Sequence, residues 1–139
     1  MAEPYDLAGR IIGCAMKVHR ALGPGFLESV YQKALAIELR RAGFKVELEK
    51  PIKVFYEGEN IGDFLADMFV EETVVVENKA VQTLAKIHEV QLVNYLTATG
   101  MATGVLLNFG ASSLQFKKKF RRAKKSSNSN DDPGDSPEF

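Results

Sequence analysis

Three consecutive valines at 74–76 run straight into Glu77, Asn78 and Lys79, and this stretch restricts the fold of the 139-residue chain more than any other. So apolar a run reads as a strand buried in a core. A second such run, "TGVLLNF" at 103–109, follows a segment of helical period from about Thr83 to Thr99 that Gly100 closes. Two short buried strands separated by a helix are expected to pair in parallel, because that connection is a crossover.

The rest of the chain fits around this pair. Leu7, Ile11, Ala15, Val18 and Leu22 recur at helical spacing, which predicts a helix over residues 5–22, stopped by "GPG" at 23–25. A second helix is expected from Leu27 to Ala42, with an apolar stripe of Leu27, Val30, Tyr31, Ala34, Leu35 and Leu39 and Gly43 at its C-terminal cap. "FKVELEKPIKVFYEG" reads as one long or broken strand, with Pro51 confining it to an edge or a bulge. "EGEN" is a turn, "IGDFLADMFV" a strand, and Glu71–Glu72 a second turn, so three strands ending in "TVVVENKA" form an antiparallel meander. "LQFKKKF" at 114–120 alternates as a final edge strand. No internal repeat is present. The order helix, helix, three strands, helix, strand, strand specifies an α/β domain with a mixed central sheet flanked by helices.

Length and composition agree with one domain, over residues 1–120. Residues 121–139 go from basic to Ser/Asn-rich to acidic with almost nothing apolar, and are expected to be disordered. The last of them are compatible with a sequence appended for expression. Lysine plus arginine and aspartate plus glutamate both number 18, so bulk charge selects no partner. The one cysteine, Cys14, excludes an internal disulfide framework and points to a reducing cytoplasm. No apolar run approaches a membrane span, and "MAEPYDLAGR" lacks the features of a signal peptide.

The charged end of the valine strand then needs a reason. Alternation puts Thr73, Val75, Glu77 and Lys79 on one face, with Glu77 and Lys79 roughly 6–7 Å apart. On the preceding strand Asp63, Leu65, Asp67 and Phe69 are expected to share a face, and pairing through Glu71–Glu72 brings Asp67 level with Glu77. Two hard oxygen ligands beside an ammonium are a set that can hold Mg2+ or Mn2+ against a phosphate. By spacing alone, a polar strand end with a salt-bridging lysine explains the same residues as well.

The full constellation is more specific. Asp67, then Glu77-Asn78-Lys79 ten residues on, then a helix carrying Gln91, resembles the PD-(D/E)XK nuclease superfamily. "GPGFLESVY" contains Gly25-x-x-Glu28-x-x-Tyr31, which resembles the signature of the GxxExxY proteins of that superfamily, and "HEVQLVNYL" and "GVLLNFG" are similar to that family's later segments. The resemblance runs from about residue 5 to 120. It implies a restriction-endonuclease-like αβββαβ core and hydrolysis of phosphodiester bonds in DNA or RNA. It further implies Asp67 and Glu77 as carboxylates for Mg2+ or Mn2+, the Asn78 backbone carbonyl as a third ligand and Glu28 as one arriving from a helix. Lys79 would activate water, and Gln91 would approach water or phosphate. The chain departs from the usual pattern at Ala66, where proline is common, and at Asn78, where an apolar residue is usual.

Other features carry competing readings. Tyr31 suits core packing and support of Glu28 equally; Tyr95 shares a helix face with Gln91 and His88. "FKKKFRRAKK" supplies Lys117, Lys118, Lys119, Arg121 and Arg122 as candidate nucleic-acid contacts, against the simpler role of lysines that protect an edge strand. Nucleic acid is the expected partner, and a homo-oligomer or larger assembly is compatible with so small a chain. The competing function is a catalytically silent binding or adaptor module on the same fold.

Overall fold

The computed structural model describes residues 4–121. Its elements are α1 (Pro4–Leu22), α2 (Glu28–Arg41), β1 (Val46–Tyr56), β2 (Glu59–Val70), β3 (Val74–Lys79), α3 (Lys86–Thr99), β4 (Thr103–Asn108) and β5 (Gln115–Phe120). Arg122 and the tail after it lie outside the described residues.

The five strands form one sheet in the order β1-β2-β3-β4-β5. β3 and β4 pair in parallel from Val74↔Thr103 to Lys79↔Asn108, while the other neighbours are antiparallel. The crossover through α3 accounts for the parallel pair, as the sequence required. Both central strands are buried on two sides. Val74, Val76, Val105 and Leu107 pack with α1 and α2, and Val75 and Leu106 pack with Leu92, Tyr95 and Leu96 of α3. The chain is therefore an α/β fold with helices on both faces of a mixed sheet. Pro51 lies in β1, an edge strand, where a missing N–H costs no ladder bond on the open side.

Both hairpin turns are built from left-handed residues. Glu57 and Gly58 have φ of 51° and 81° and join β1 to β2, a two-residue loop whose twist matches the strands. Between β2 and β3 the loop has three residues, of which Glu71 and Glu72 are left-handed at φ of 54° and 56° without a glycine. Lys45 compensates there: its N–H donates to Glu71 Oε2 at 2.5 Å and its ammonium pairs with Glu72 at 2.8 Å.

Two sequence expectations are corrected. The buried stripe of α2 is Tyr31, Gln32, Leu35, Ala36 and Leu39, whereas Leu27 is 77% and Val30 37% exposed. Leu27 precedes the first helical turn, and the helical period rotates Val30 onto the flank. Strand β2 also does not keep one face throughout. Met68 and Val70 pack toward α1 and α2, but Ala66 packs toward α3, so Asp63 and Leu65 do not share the face of Phe69. β1 inverts with it, between Leu48 and Ile52. The cause is Glu49, held at φ 54° opposite Asp67, where the β1–β2 register has no bridge although it keeps the same offset on both sides. Beyond this point the two strands form an arm that pairs with no other strand among the described residues, because the β2–β3 ladder involves only residues 68–70 of β2.

Tyr31 is fully buried and stacks on Phe109 at 4.6 Å between centroids. Its hydroxyl donates to the Gly23 carbonyl at 2.6 Å and accepts the Phe26 N–H at 3.1 Å, which pins the loop leading into α2. Removing that hydroxyl strands two backbone groups. Tyr31→Phe is expected to cost about 1–3 kcal/mol, seen as a lower urea midpoint with an unchanged slope.

Candidate active site

Asp67 marks the place where β2 leaves β3. The printed pairs run Val70↔Val74, Phe69↔Val75 and Met68↔Val76, and at the next level side chains replace the ladder. The Asp67 N–H donates to Glu77 Oε2 at 2.9 Å, and the Asn78 N–H donates to Asp67 Oδ2 at 2.6 Å. From the other side, Gln32 Nε2 of α2 donates to the Asp67 carbonyl at 2.8 Å. Two of these bonds thus fix the carboxylates across the mouth of the opened sheet, and the third holds the Asp67 peptide.

Strand alternation adds a donor. The Lys79 carbonyl accepts the Phe109 N–H at 2.9 Å and so points to β4. The backbone of Asn78 then points to β2, where its N–H already meets Asp67, and its carbonyl faces the same gap.

The electrostatics follow from burial. Glu77 is only 7% exposed, and burial, then repulsion from Asp67 and Glu28, pushes its carboxyl up to about 8 despite the Asp67 N–H and Lys79. Asp67, half-buried, is raised chiefly by burial and also by Glu28 and Glu49, with the Asn78 N–H and Lys79 acting against the rise. Tyr95 is raised by burial, then by Glu77 and Asp67, so its hydroxyl stays protonated beside them. Glu28, Asp67, Glu77, Lys79 and Tyr95 therefore lie within electrostatic reach of one another. Lys79 makes no ion pair among the described residues, and its charge acts on both carboxylates.

Gln91 is exposed on α3 and lines a cavity with Tyr95, on the side facing the β1–β2 arm. His88 does a different job: its Nδ1 accepts the Ala85 N–H at 3.1 Å at the start of α3. Cys14 is half-buried, and burial raises its thiol, so it stays protonated. The basic strand β5 is the sheet edge opposite β1, two strands from Glu77. Lys119 pairs with Glu89 at 2.9 Å, Arg121 donates to the Gly100 carbonyl, and Lys117 is exposed. Lys118 is half-buried and also engaged.

Three residues here escaped the sequence reading. Gln32 carried a signal, as an amide on the inward face of α2. Glu49 carried none, since its proximity to Asp67 depends on the β1–β2 register. Asn108, fully buried, accepts the Val81 N–H at 2.9 Å and the Gly110 N–H at 3.0 Å and donates to Gln115 at 2.9 Å. It holds the segment just after Lys79. Gly110 packs so closely there that a Cβ would stand 2.4 Å from the Val81 carbonyl oxygen.

A family model for the PD-(D/E)XK nuclease superfamily matches residues 5–123. The chain belongs to the PD-(D/E)XK nuclease superfamily. No curated protein and no solved structure matches it. Nucleases of this superfamily generally use divalent metal ions and act on nucleic acid. The donors at the strand end suit such an ion: two carboxylates and a carbonyl are hard oxygen ligands, few enough to leave positions for water. Among the described residues no three His, Cys, Asp or Glu side chains converge as a ready-made cation cluster. Among those residues, too, no helix is long and apolar enough to cross a membrane.

The side chain of Asn78 faces the opposite layer, 1% exposed, and among the described residues neither its Nδ2 nor its Oδ1 has a partner. An unpaired buried amide costs free energy. Asn78→Leu is expected to stabilise the protein by about 1–3 kcal/mol, measured by denaturant unfolding. Glu77 sets a pH dependence of opposite sign to the usual carboxylate. The folded chain holds this proton up to about 8, whereas the unfolded chain releases it near 4.5. The metal-free protein should therefore lose stability as pH rises through that window, by about 4–5 kcal/mol in full. Glu77→Gln should flatten the profile, and Mg2+ should raise Tm more at the alkaline end than at the acid end.

Proposed function

We propose that the chain is a metal-dependent nuclease of the GxxExxY group that hydrolyses phosphodiester bonds in DNA or RNA. The observation that carries this reading is the pair Asp67 and Glu77, each held by a backbone N–H at the opened strand end, with Lys79 beside them in no ion pair among the described residues. Two partly or wholly buried carboxylates are a poor design for stability alone, and a divalent cation offsets their repulsion. A single domain over residues 1–120 and a cytoplasmic setting, supported by the lone thiol Cys14, complete the reading.

Asp67 and Glu77 would hold Mg2+ or Mn2+ with the Asn78 carbonyl, and Glu28 would reach the same place from the first turn of α2. When bound, the ion supplies positive charge to the scissile phosphate and makes a water more acidic. Lys79 orients the attacking water and stabilises charge that grows on the phosphate oxygens. Tyr95, protonated, can donate a hydrogen bond toward the same oxygens. Gln91, exposed on α3 beside Tyr95, would guide water, the role that the resemblance gives it. Lys117, Lys118, Lys119, Arg121 and Arg122 would then add only long-range attraction to a nucleic acid.

The test is cleavage of single- and double-stranded DNA and RNA with Mg2+, Mn2+ or EDTA. Cleavage should require metal and fall by about 10²–10³-fold or more in Lys79→Ala. A folded protein that binds metal yet cuts none of the four substrates would instead fit a silent binding module or a subunit that needs its assembly.

A further inference from the structure

Between α3 and the β1–β2 arm lies a cavity of about 460 Å³, walled by Val54 and Phe64 of the arm and by Ile87, Gln91, Asn94 and Tyr95 of the helix. We propose that this cavity takes an unpaired nucleobase of the strand being cut. The inference rests on the nuclease reading and adds the form of the substrate: a strand with at least one base out of its stack.

Four observations support that occupant. First, the cavity adjoins the reaction centre. Tyr95 lines it and also feels the charge of Glu77 and Asp67, and Phe64 precedes Asp67 by three residues, about 10 Å along a strand. Second, every residue lining the cavity is uncharged, so it offers no counter-charge for a phosphate and suits the neutral part of a nucleotide. Third, two of the side chains that line it are aromatic. The Phe64 and Tyr95 rings lie 5.7 Å apart at 43°, and Phe64 is 43% exposed, leaving ring surface for a base to stack on. Fourth, the exposed amides of Gln91 and Asn94 stand at the rim, each with donors and an acceptor for the edges of a base. The division is complementary: phosphate at the carboxylates, base between the arm and α3. A base in a duplex cannot enter without leaving its partner.

The test is binding rather than cleavage, so it does not depend on turnover. In a Lys79→Ala background, affinity is measured for a short fluorescein-labelled single strand and for a series with one abasic position moved along it. One abasic position is expected to weaken binding by about 5- to 150-fold. Phe64→Ala should weaken the intact strand to a similar extent and remove the penalty at that one position, while Asn94→Ala gives a smaller loss of the same kind. A flat abasic series, or no binding to single strands, overturns the proposal, whatever the cleavage assay says of the nuclease reading. A dimer that Phe64→Ala converts to monomer would also overturn it, by giving this face to a second copy. Should Phe64→Ala fail to fold, the abasic series on the parent chain decides alone.

Discussion

The arrangement depends on a missing rung. At Asp67 the ladder between β2 and β3 stops, and a half-buried backbone N–H and carbonyl need other partners. Glu77 takes the first and Gln32 the second, at 2.9 and 2.8 Å. Each substitution has a consequence beyond satisfying a peptide group. Accepting the Asp67 N–H commits Glu77 to face the gap, and the Asn78 N–H commits Asp67 to do likewise. The backbone thus holds two carboxylates together, and the cost shows in carboxyls raised first by burial in both, with repulsion from Asp67 adding to the rise at Glu77.

The surroundings read as support for that opening. Gln32 anchors α2 to β2, and Tyr31 on the same helix fixes the loop that starts it, so Glu28 is delivered in the first turn of a clamped helix. Its position there is also favourable for a negative charge near a helix N-terminus. On the far side Asn108 and Gly110 tie down the chain just past Lys79. Helix α3 closes the third side and brings Tyr95 up to the carboxylates, with Leu92 pressed on β4 where Gly104 has no side chain to obstruct it.

Features set by near neighbours could be read from the sequence. Alternation, helical period and the turn residues placed every element, because each depends on residues a few positions apart. The pairing through Glu71–Glu72 also set Asp67 level with Glu77. What escaped depends on distant contacts. The inversion at Glu49 is forced by a left-handed residue whose conformation no glycine announces, and it moved Leu65 to a different face from Phe69. Asn108 looked like one more residue in an apolar strand, since its partners at 81, 110 and 115 meet only in the folded chain. Asn78 was visible as an oddity, and the lack of a partner among the described residues makes it one in the structure too.

The β1–β2 arm has a dynamic meaning. Past Glu49 and Asp67, its two strands pair only with each other among the described residues, and Ile52 and Ala66 are its buried links to the layer beneath α3. A two-stranded ribbon with both outer edges bare is the part of a sheet that opens at the lowest free energy. Its amides should exchange with solvent well before those of β3 and β4, in a unit of their own. The inverted step at Glu49 then acts as the hinge between a slowly exchanging body that carries the carboxylates and a faster one that carries Phe64.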